Sequence, residues 1–168
     1  MNKTSLIFFG IISLLVVAIA VTTYIQNRET VTSVTGVTYT DFDIVFNTAD
    51  GDTVKMGNFL TDPSVQADEQ NSGLYFLGNK IELQPTTGAL PPYAIAFDKG
   101  TGSFNITLLQ KPFGQSRNQA EVYLKNLLQI DKNKMCSLQY MVTVPGYVDT
   151  AASGIDYRFS FCPGAIQL

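Results

Sequence analysis

The twenty residues from Leu6 to Ile25, LIFFGIISLLVVAIAVTTYI, carry no charge; the nearest charged side chains are Lys3 before them and Arg28 after them. A helix rises about 1.5 Å per residue, so a run of this length matches the roughly 30 Å hydrocarbon core of a bilayer. Ser13, Thr22 and Thr23 can bond back to helix carbonyls, and Tyr24 falls where an interfacial aromatic belongs. The run therefore reads as a transmembrane signal-anchor helix over 6–25, behind a short cytoplasmic N-terminus at 1–5. A cleaved secretory signal competes with this reading, since Leu6 to Val17 makes an h-region and Ala18-Ile19-Ala20 fits a small-x-small cleavage site. Both readings send the remainder across the membrane.

Lys3 gives a weak positive-inside signal, opposed by Arg28, which Glu29 partly offsets. The expected localisation is the cell membrane, single-pass, with the N-terminus cytoplasmic and the C-terminal domain extracytoplasmic. A type IV pilin also begins with a hydrophobic helix, but its processing glycine is followed shortly by a glutamate. Gly10 has no such glutamate.

Once the anchor is subtracted from 168 residues, the remainder suffices for one domain. A net charge of −3 lacks the basic excess of a nucleic-acid binder, so no nucleic-acid partner is expected. The acids Asp41, Asp43, Asp50, Asp52, Asp62, Asp68 and Glu69, with only Lys55 among them, precede a basic group of Lys111, Arg117, Lys125, Lys132 and Lys134. Both groups read as solvated faces.

Residues 26–40 are Thr-rich and β-branched, which suits a stalk or a first edge strand. Residues 41–168 then form the extracytoplasmic α+β domain. Phe42, Ile44 and Phe46 alternate with polar or smaller neighbours, and Asp50-Gly51 leads into Thr53 to Met56, the pattern of a hairpin. Thr61 to Ser72 reads as a surface loop. Leu74 to Leu77 and Lys80 to Leu83 make a second hairpin across Gly78-Asn79, and Pro85 to Pro92 a rigid connector. Tyr93 to Phe97 and Ser103 to Leu109 form a third, joined by DKGTG.

One soluble helix is expected, with Ser116 as N-cap, Gln119 three residues on, and Ala120, Leu124, Leu127 and Leu128 at helical spacing as core. It should end near Ile130, with Asp131 capping a short turn that delivers Cys136. Two last strands are expected at Leu138 to Val144 and at Tyr157 to Phe161. The fold class is α+β: antiparallel β hairpins with one amphipathic helix packed on the sheet.

The chain has no histidine, which removes Ser-His-Asp and Cys-His nucleophile systems and imidazole metal sites. Asp50-Gly51-Asp52 fits a turn better than an EF-hand, whose ligand positions would fall on Phe46 and Thr48. Asp41 and Asp43, with Asp52 near, would make at most a weak cation site. Asn105-Ile106-Thr107 matches the N-glycosylation acceptor, relevant only in a glycosylating host. The glycines of DKGTG sit inside a hairpin, so they do not form a phosphate cradle. No catalytic residue, metal ligand or cofactor is therefore assigned. Cys136 and Cys162 are too far apart for a CxxC redox pair and lack the further ligands of a zinc site, and an exported compartment permits oxidation. They are expected to form an intramolecular disulfide, with two buried free thiols as the alternative.

The AEVYL of the helix, Cys136 after it, MVTVP in a strand and the ending FSFCPGA carry a resemblance over about Tyr93 to Ala165. The chain resembles uncharacterised short bacterial proteins that pair an N-terminal membrane anchor with a β-rich exported domain ending in an SFCPG-like segment. The resemblance implies an exported, anchored domain and transfers no activity. The expected function is a membrane-anchored extracytoplasmic binding or interaction module rather than an enzyme. Its partners would be the lipid bilayer, through the N-terminal helix, and an envelope protein or surface ligand. A structural subunit of an envelope assembly and a histidine-free envelope enzyme are the alternatives.

Overall fold

Alternation of apolar and polar residues at period two, then at helical period, builds the fold in chain order. The computed structural model describes residues 34–48, 52–78 and 90–168. The anchor segment 6–25, the residues before it, most of 26–40, the Asp50-Gly51 turn and Lys80 to Leu83 lie wholly or largely outside the described residues. Among the described residues, no helix is long and apolar enough to cross a membrane.

The first sheet has three antiparallel strands: β1 (Val34–Tyr39), β2 (Asp43–Thr48) and β3 (Thr53–Gly57). Ile44 pairs with Met56 and Phe46 with Val54, all four buried, so the expected β2–β3 hairpin is present with its apolar face inward. Phe42 departs from that pattern: it precedes the strand and is 84% exposed.

The second sheet has five strands in sequence order, β4 (Val65–Ala67), β5 (Leu74–Leu77), β6 (Tyr93–Asp98), β7 (Ser103–Leu108) and β8 (Gln139–Thr143). The β6–β7 hairpin carries the DKGTG loop as expected, with Asp98 Oδ1 accepting from Gly100 N at 2.8 Å. Three expectations are corrected. The polar stretch after Thr61 contains β4, a short edge strand. Both edges of β5 are taken, by β4 and by β6, so β5 is not half of a hairpin with Lys80 to Leu83. The sheet is mixed, because β8 runs parallel to β7. A parallel pair needs a crossover, and the helical residues between these strands supply it.

That crossover holds α1 (Phe113–Leu128) and the short α2 (Lys132–Cys136). Ala120, Leu124 and Leu128 are buried and Leu127 is half-buried against them, so the expected helical stripe is core with Leu127 at its margin. Ser116 is not the N-cap. The helix begins three residues earlier with buried Phe113, after Pro112, while Ser116 is buried and donates its Oγ–H to Gln110 O at 2.7 Å. Gln129, with φ 54°, ends the helix in the left-handed conformation. Asp131 caps α2 as expected, accepting from Lys134 N at 2.9 Å.

Phe46 and Phe59 from the first sheet and its following turn meet Phe97 and Phe104 of the second. Phe97 and Phe104 lie 4.7 Å apart between ring centroids, and Phe59 lies 5.1 Å from Phe97, nearly edge-on. On that same sheet face, further along β6 and β7, α1 is the cover. One face of the five-stranded sheet is thus shared by the small sheet and the helix. The outer strand β1 joins this packing through Tyr39, whose O–H donates to Lys99 O at 2.8 Å.

The expected final strand at Tyr157 to Phe161 is absent; this stretch is an irregular strap. Arg158 has φ 56°, which breaks the extended geometry. Tyr157 N donates to Val142 O at 2.8 Å, but Val142 N is met by the Asp156 carboxylate at 2.9 Å instead of a backbone carbonyl. Tyr157 and Phe159 are still buried, and Phe159 stacks on Tyr140 at 4.1 Å. The apolar alternation therefore reports inward-facing rings without reporting a strand.

Candidate functional site

Helix α1 has three sides with different work. One buries Ala120, Leu124 and Leu128 against the sheet. The second turns Arg117 and Glu121, each 5% exposed, toward the C-terminal strap. Arg117 donates through Nη1 to Ile166 O at 2.7 Å and to Tyr157 O at 3.3 Å, while Glu121 accepts from Ser160 Oγ at 2.7 Å and from Ser160 N. Arg117 is therefore no part of a solvated basic face. The rest of that group is exposed, with Lys111 2.6 Å from Asp149 and Lys134 4.0 Å from Asp131. The hydrogen bond from Lys111 holds the Asp149 carboxyl below its ordinary pKa.

The third side leaves Asn118, Gln119, Val122 and Asn126 exposed, at the helical spacing that puts them along one edge. Tyr123 stands beside them. Its ring faces Tyr93 at the start of β6, with centroids 6.3 Å apart, and its hydroxyl lies 2.9 Å from Ser64 Oγ. Gly78 makes room for that ring: with φ +83° it would, as any other residue, place a Cβ only 3.0 Å from Tyr123 Cζ. The approach to β6 is held by Leu109 N donating to Pro92 O at 2.9 Å and by the Gln110 side-chain amide donating to Leu90 O.

Between helix edge and strand start lies a groove of about 640 Å³, lined by these residues and Pro92. That volume is in the range of small-ligand sites. Three carboxamides supply donors and acceptors, and two phenols supply ring surface and hydroxyls. Burial, reinforced by the neighbouring Tyr123, raises the Tyr93 pKa, so Tyr93 is a neutral phenol at physiological pH. No described lining residue is a carboxylate or an amine. The groove can hold a ligand by hydrogen bonds and apolar contact.

A second cleft, about 190 Å³, lies between the turn after β3 and the end of α1, with Asn58, Asp62 and Gln129 on its walls. Asp62 is already engaged there: Ser64 Oγ and Ser64 N donate to it at 2.6 and 2.8 Å, which lowers its pKa.

The residues singled out from the sequence fall as follows. Cys136 and Cys162 are at disulfide distance, their Cα atoms 5.5 Å apart, joining the end of α2 to the strap. Asp43 is paired with Lys55 at 2.7 Å. Asp52 adjoins Thr53, which pairs with Asn47 at the far end of the hairpin from Asp43, so the acids weighed as a cation site are not brought together. Asn105 sits mid-strand in β7, between Ala96 and Met141. Sequence reasoning missed both the groove and the buried pair. Its available signals were the i, i+4 spacing of Arg117 and Glu121 and the i, i+8 spacing of Asn118 and Asn126.

No family model matches the chain, and neither the curated proteins nor the solved structures compared with it include a match.

Proposed function

We propose that the chain is a membrane-anchored extracytoplasmic binding module, held by the helix expected over 6–25 and engaging its ligand through the groove of α1 and β6. The observation that carries the reading is the chemistry of that groove: three carboxamides and two phenols around a ligand-sized volume, with no acid or amine among the described lining residues. Such a set binds and orients; a group that gives or takes protons near neutral pH is what general acid-base turnover would require. The cystine of Cys136 and Cys162 supports the export part of the reading, because disulfides persist in oxidising compartments. The uncharged run Leu6 to Ile25 supports the anchor.

The test fractionates cells expressing the full chain and follows both ends. The expected result is a chain that keeps its N-terminus, stays with membranes through salt and alkali, is released by detergent, and exposes its C-terminal domain to protease on the extracytoplasmic side. Incubated with generic esters, peptides, glycosides and phosphates, it turns none over. A mature chain beginning at Val21 would replace the anchor by a cleaved signal. Turnover abolished by a single substitution at an acid or a serine would replace binding by catalysis.

A further inference from the structure

The geometry points to a neutral oligosaccharide as the ligand class of the α1–β6 groove. This inference rests on the binding-module reading above and adds the chemistry of what is bound.

The lining decides by elimination. Asn118, Gln119 and Asn126 each present a carbonyl oxygen with two lone pairs and an amide with two N–H donors. An apolar ligand covering them would strip water from these groups without replacing its hydrogen bonds, a cost that outweighs its own burial. An anion or a cation would find no opposite charge among the described lining residues to offset its desolvation. The fitting ligand is uncharged and dense in groups that both donate and accept, with apolar faces between them.

Two chemistries meet that description, sugar hydroxyls on C–H ring faces and a peptide backbone. The wall of this groove is a helix, whose backbone N–H and C=O groups are spent on its own i to i−4 bonds. An extended peptide gains its affinity from the free backbone edge of a sheet, with pockets for alternate side chains. Here β6 already pairs with β5 on one side and β7 on the other, so neither of its edges is open. Among the described residues, what remains for recognition is side chains alone: carboxamides that bridge neighbouring hydroxyls, and Val122, 53% exposed, beside Tyr123 as a surface for a C–H face. The hydroxyl-bearing ring is the better match.

Length fits too. From Asn118 to Asn126 the helix advances roughly 12 Å at about 1.5 Å per residue, so the carboxamides address more than a single ring. The support beneath them is stiff: Tyr123 is braced by Ser64 and by the close approach of Gly78, and the helix is pinned from behind by the Arg117–Glu121 pair.

The experiment titrates the full chain, kept in a detergent without a sugar headgroup, with tetrasaccharides of glucose and of N-acetylglucosamine. Binding is followed by tyrosine fluorescence and by side-chain amide resonances. The chain has no tryptophan, so the Tyr signal is not masked. Saturable binding of at least one tetrasaccharide is expected, with shifts at the Asn118 and Asn126 amides. Asn126→Leu should weaken it at least tenfold while the thermal transition stays in place, and Asn126→Gln should retain part of it. A neutral Gly-Ser-Asn nonapeptide, capped at both ends, is the comparison. If the peptide binds at the groove and the sugars do not, the ligand class is overturned and the binding-module reading stands. If neither binds, both fail. Sugar binding that Asn118→Leu and Asn126→Leu leave unchanged would place the site elsewhere and overturn the inference.

Discussion

Arg117 Nε lies 3.8 Å from Glu121 Oε1, one helical turn along α1, with both side chains buried against the strap from Tyr157 to Ile166. The pair ties the strap to the helix through backbone partners as much as through charge. Nη1 of Arg117 faces the carbonyls of Tyr157, Arg158 and Ile166, and Glu121 faces Ser160. Removing one partner strands a buried charge, so Arg117→Met and Glu121→Leu should each destabilise by about 3–5 kcal/mol. The double variant should lose clearly less than the sum, because neither charge is then left alone. Urea unfolding of all four proteins measures this coupling. Single losses below about 0.5 kcal/mol would show the pair to be energetically idle.

Tyr39 supplies the pH dependence. Burial first, then the charge of Asp98 and the nearby Tyr75, push its pKa from 10.0 up to about 12. Below pH 10 the phenol is neutral in folded and unfolded chains alike, and its contribution to stability is fully present. Between about 10 and about 12 the unfolded chain gives up a proton that the folded chain keeps, so stability falls as the pH rises. Urea midpoints should therefore drop across that window, and less steeply in Tyr39→Phe. Equal slopes for the two proteins would contradict the assignment. The same variant also loses the hydrogen bond to Lys99 O, which lowers its midpoint at every pH.

The cystine should matter most to the unfolded state. Its closure over a separation of 26 residues restricts the denatured chain by roughly 3 kcal/mol on the chain-entropy account. Cys136→Ser with Cys162→Ser is expected to lower stability by about that amount while leaving the β6–β7 hairpin in place. Unfolding of the oxidised chain with and without reductant should show the same difference. Superimposable curves would mean that the bond is not formed in the purified protein.

Gly102 closes the β6–β7 turn against the outer strand of the other sheet. It has φ +68°, and a Cβ there would come within 2.4 Å of Val37 Cγ2. Gly102→Ala should cost at least about 2 kcal/mol, the left-handed backbone accounting for roughly 1–2 and the displacement of Val37 for the rest. Gly73 is the comparison: its φ is +92° and nothing lies within 4 Å of its would-be Cβ, so Gly73→Ala should cost only the backbone part. Equal thermal shifts for the two would dismiss the packing against Val37.

What could be read from the sequence follows how local each signal is. The β2–β3 and β6–β7 hairpins rest on neighbouring residues with alternating burial, and Ile44, Phe46, Phe97 and Phe104 fall where that alternation puts them. The stripe Ala120, Leu124, Leu128 is equally local. Two pairings were not legible: β4 hides in a polar segment without apolar alternation, and the parallel β7–β8 register depends on how α1 crosses the sheet. The strap shows why periodicity alone misleads. Tyr157 and Phe159 point inward as in a strand, but Asp156 and the left-handed Arg158 replace the ladder, and no local pattern distinguishes these. Arg117 reads as a surface charge in the sequence because burial of a charge depends on a distant partner, here backbone carbonyls some forty residues on. The groove was hidden for the opposite reason, since Asn118, Val122 and Asn126 on a helix are indistinguishable from any solvated edge until Tyr93 is set beside them.

The cystine also changes what an endopeptidase could accomplish. Between Cys136 and Cys162 the chain is a covalent ring that contains β8 and most of the strap. A single nick anywhere inside it, at the exposed Tyr147 for instance, leaves both new ends fastened to the same molecule. The Phe159 ring stays stacked on Tyr140, and the Arg117 anchor keeps hold of Ile166. Such a cut would be silent until a reductant opened the ring, so the exposed loop after β8 is a place where an endopeptidase can bite without dismantling the fold.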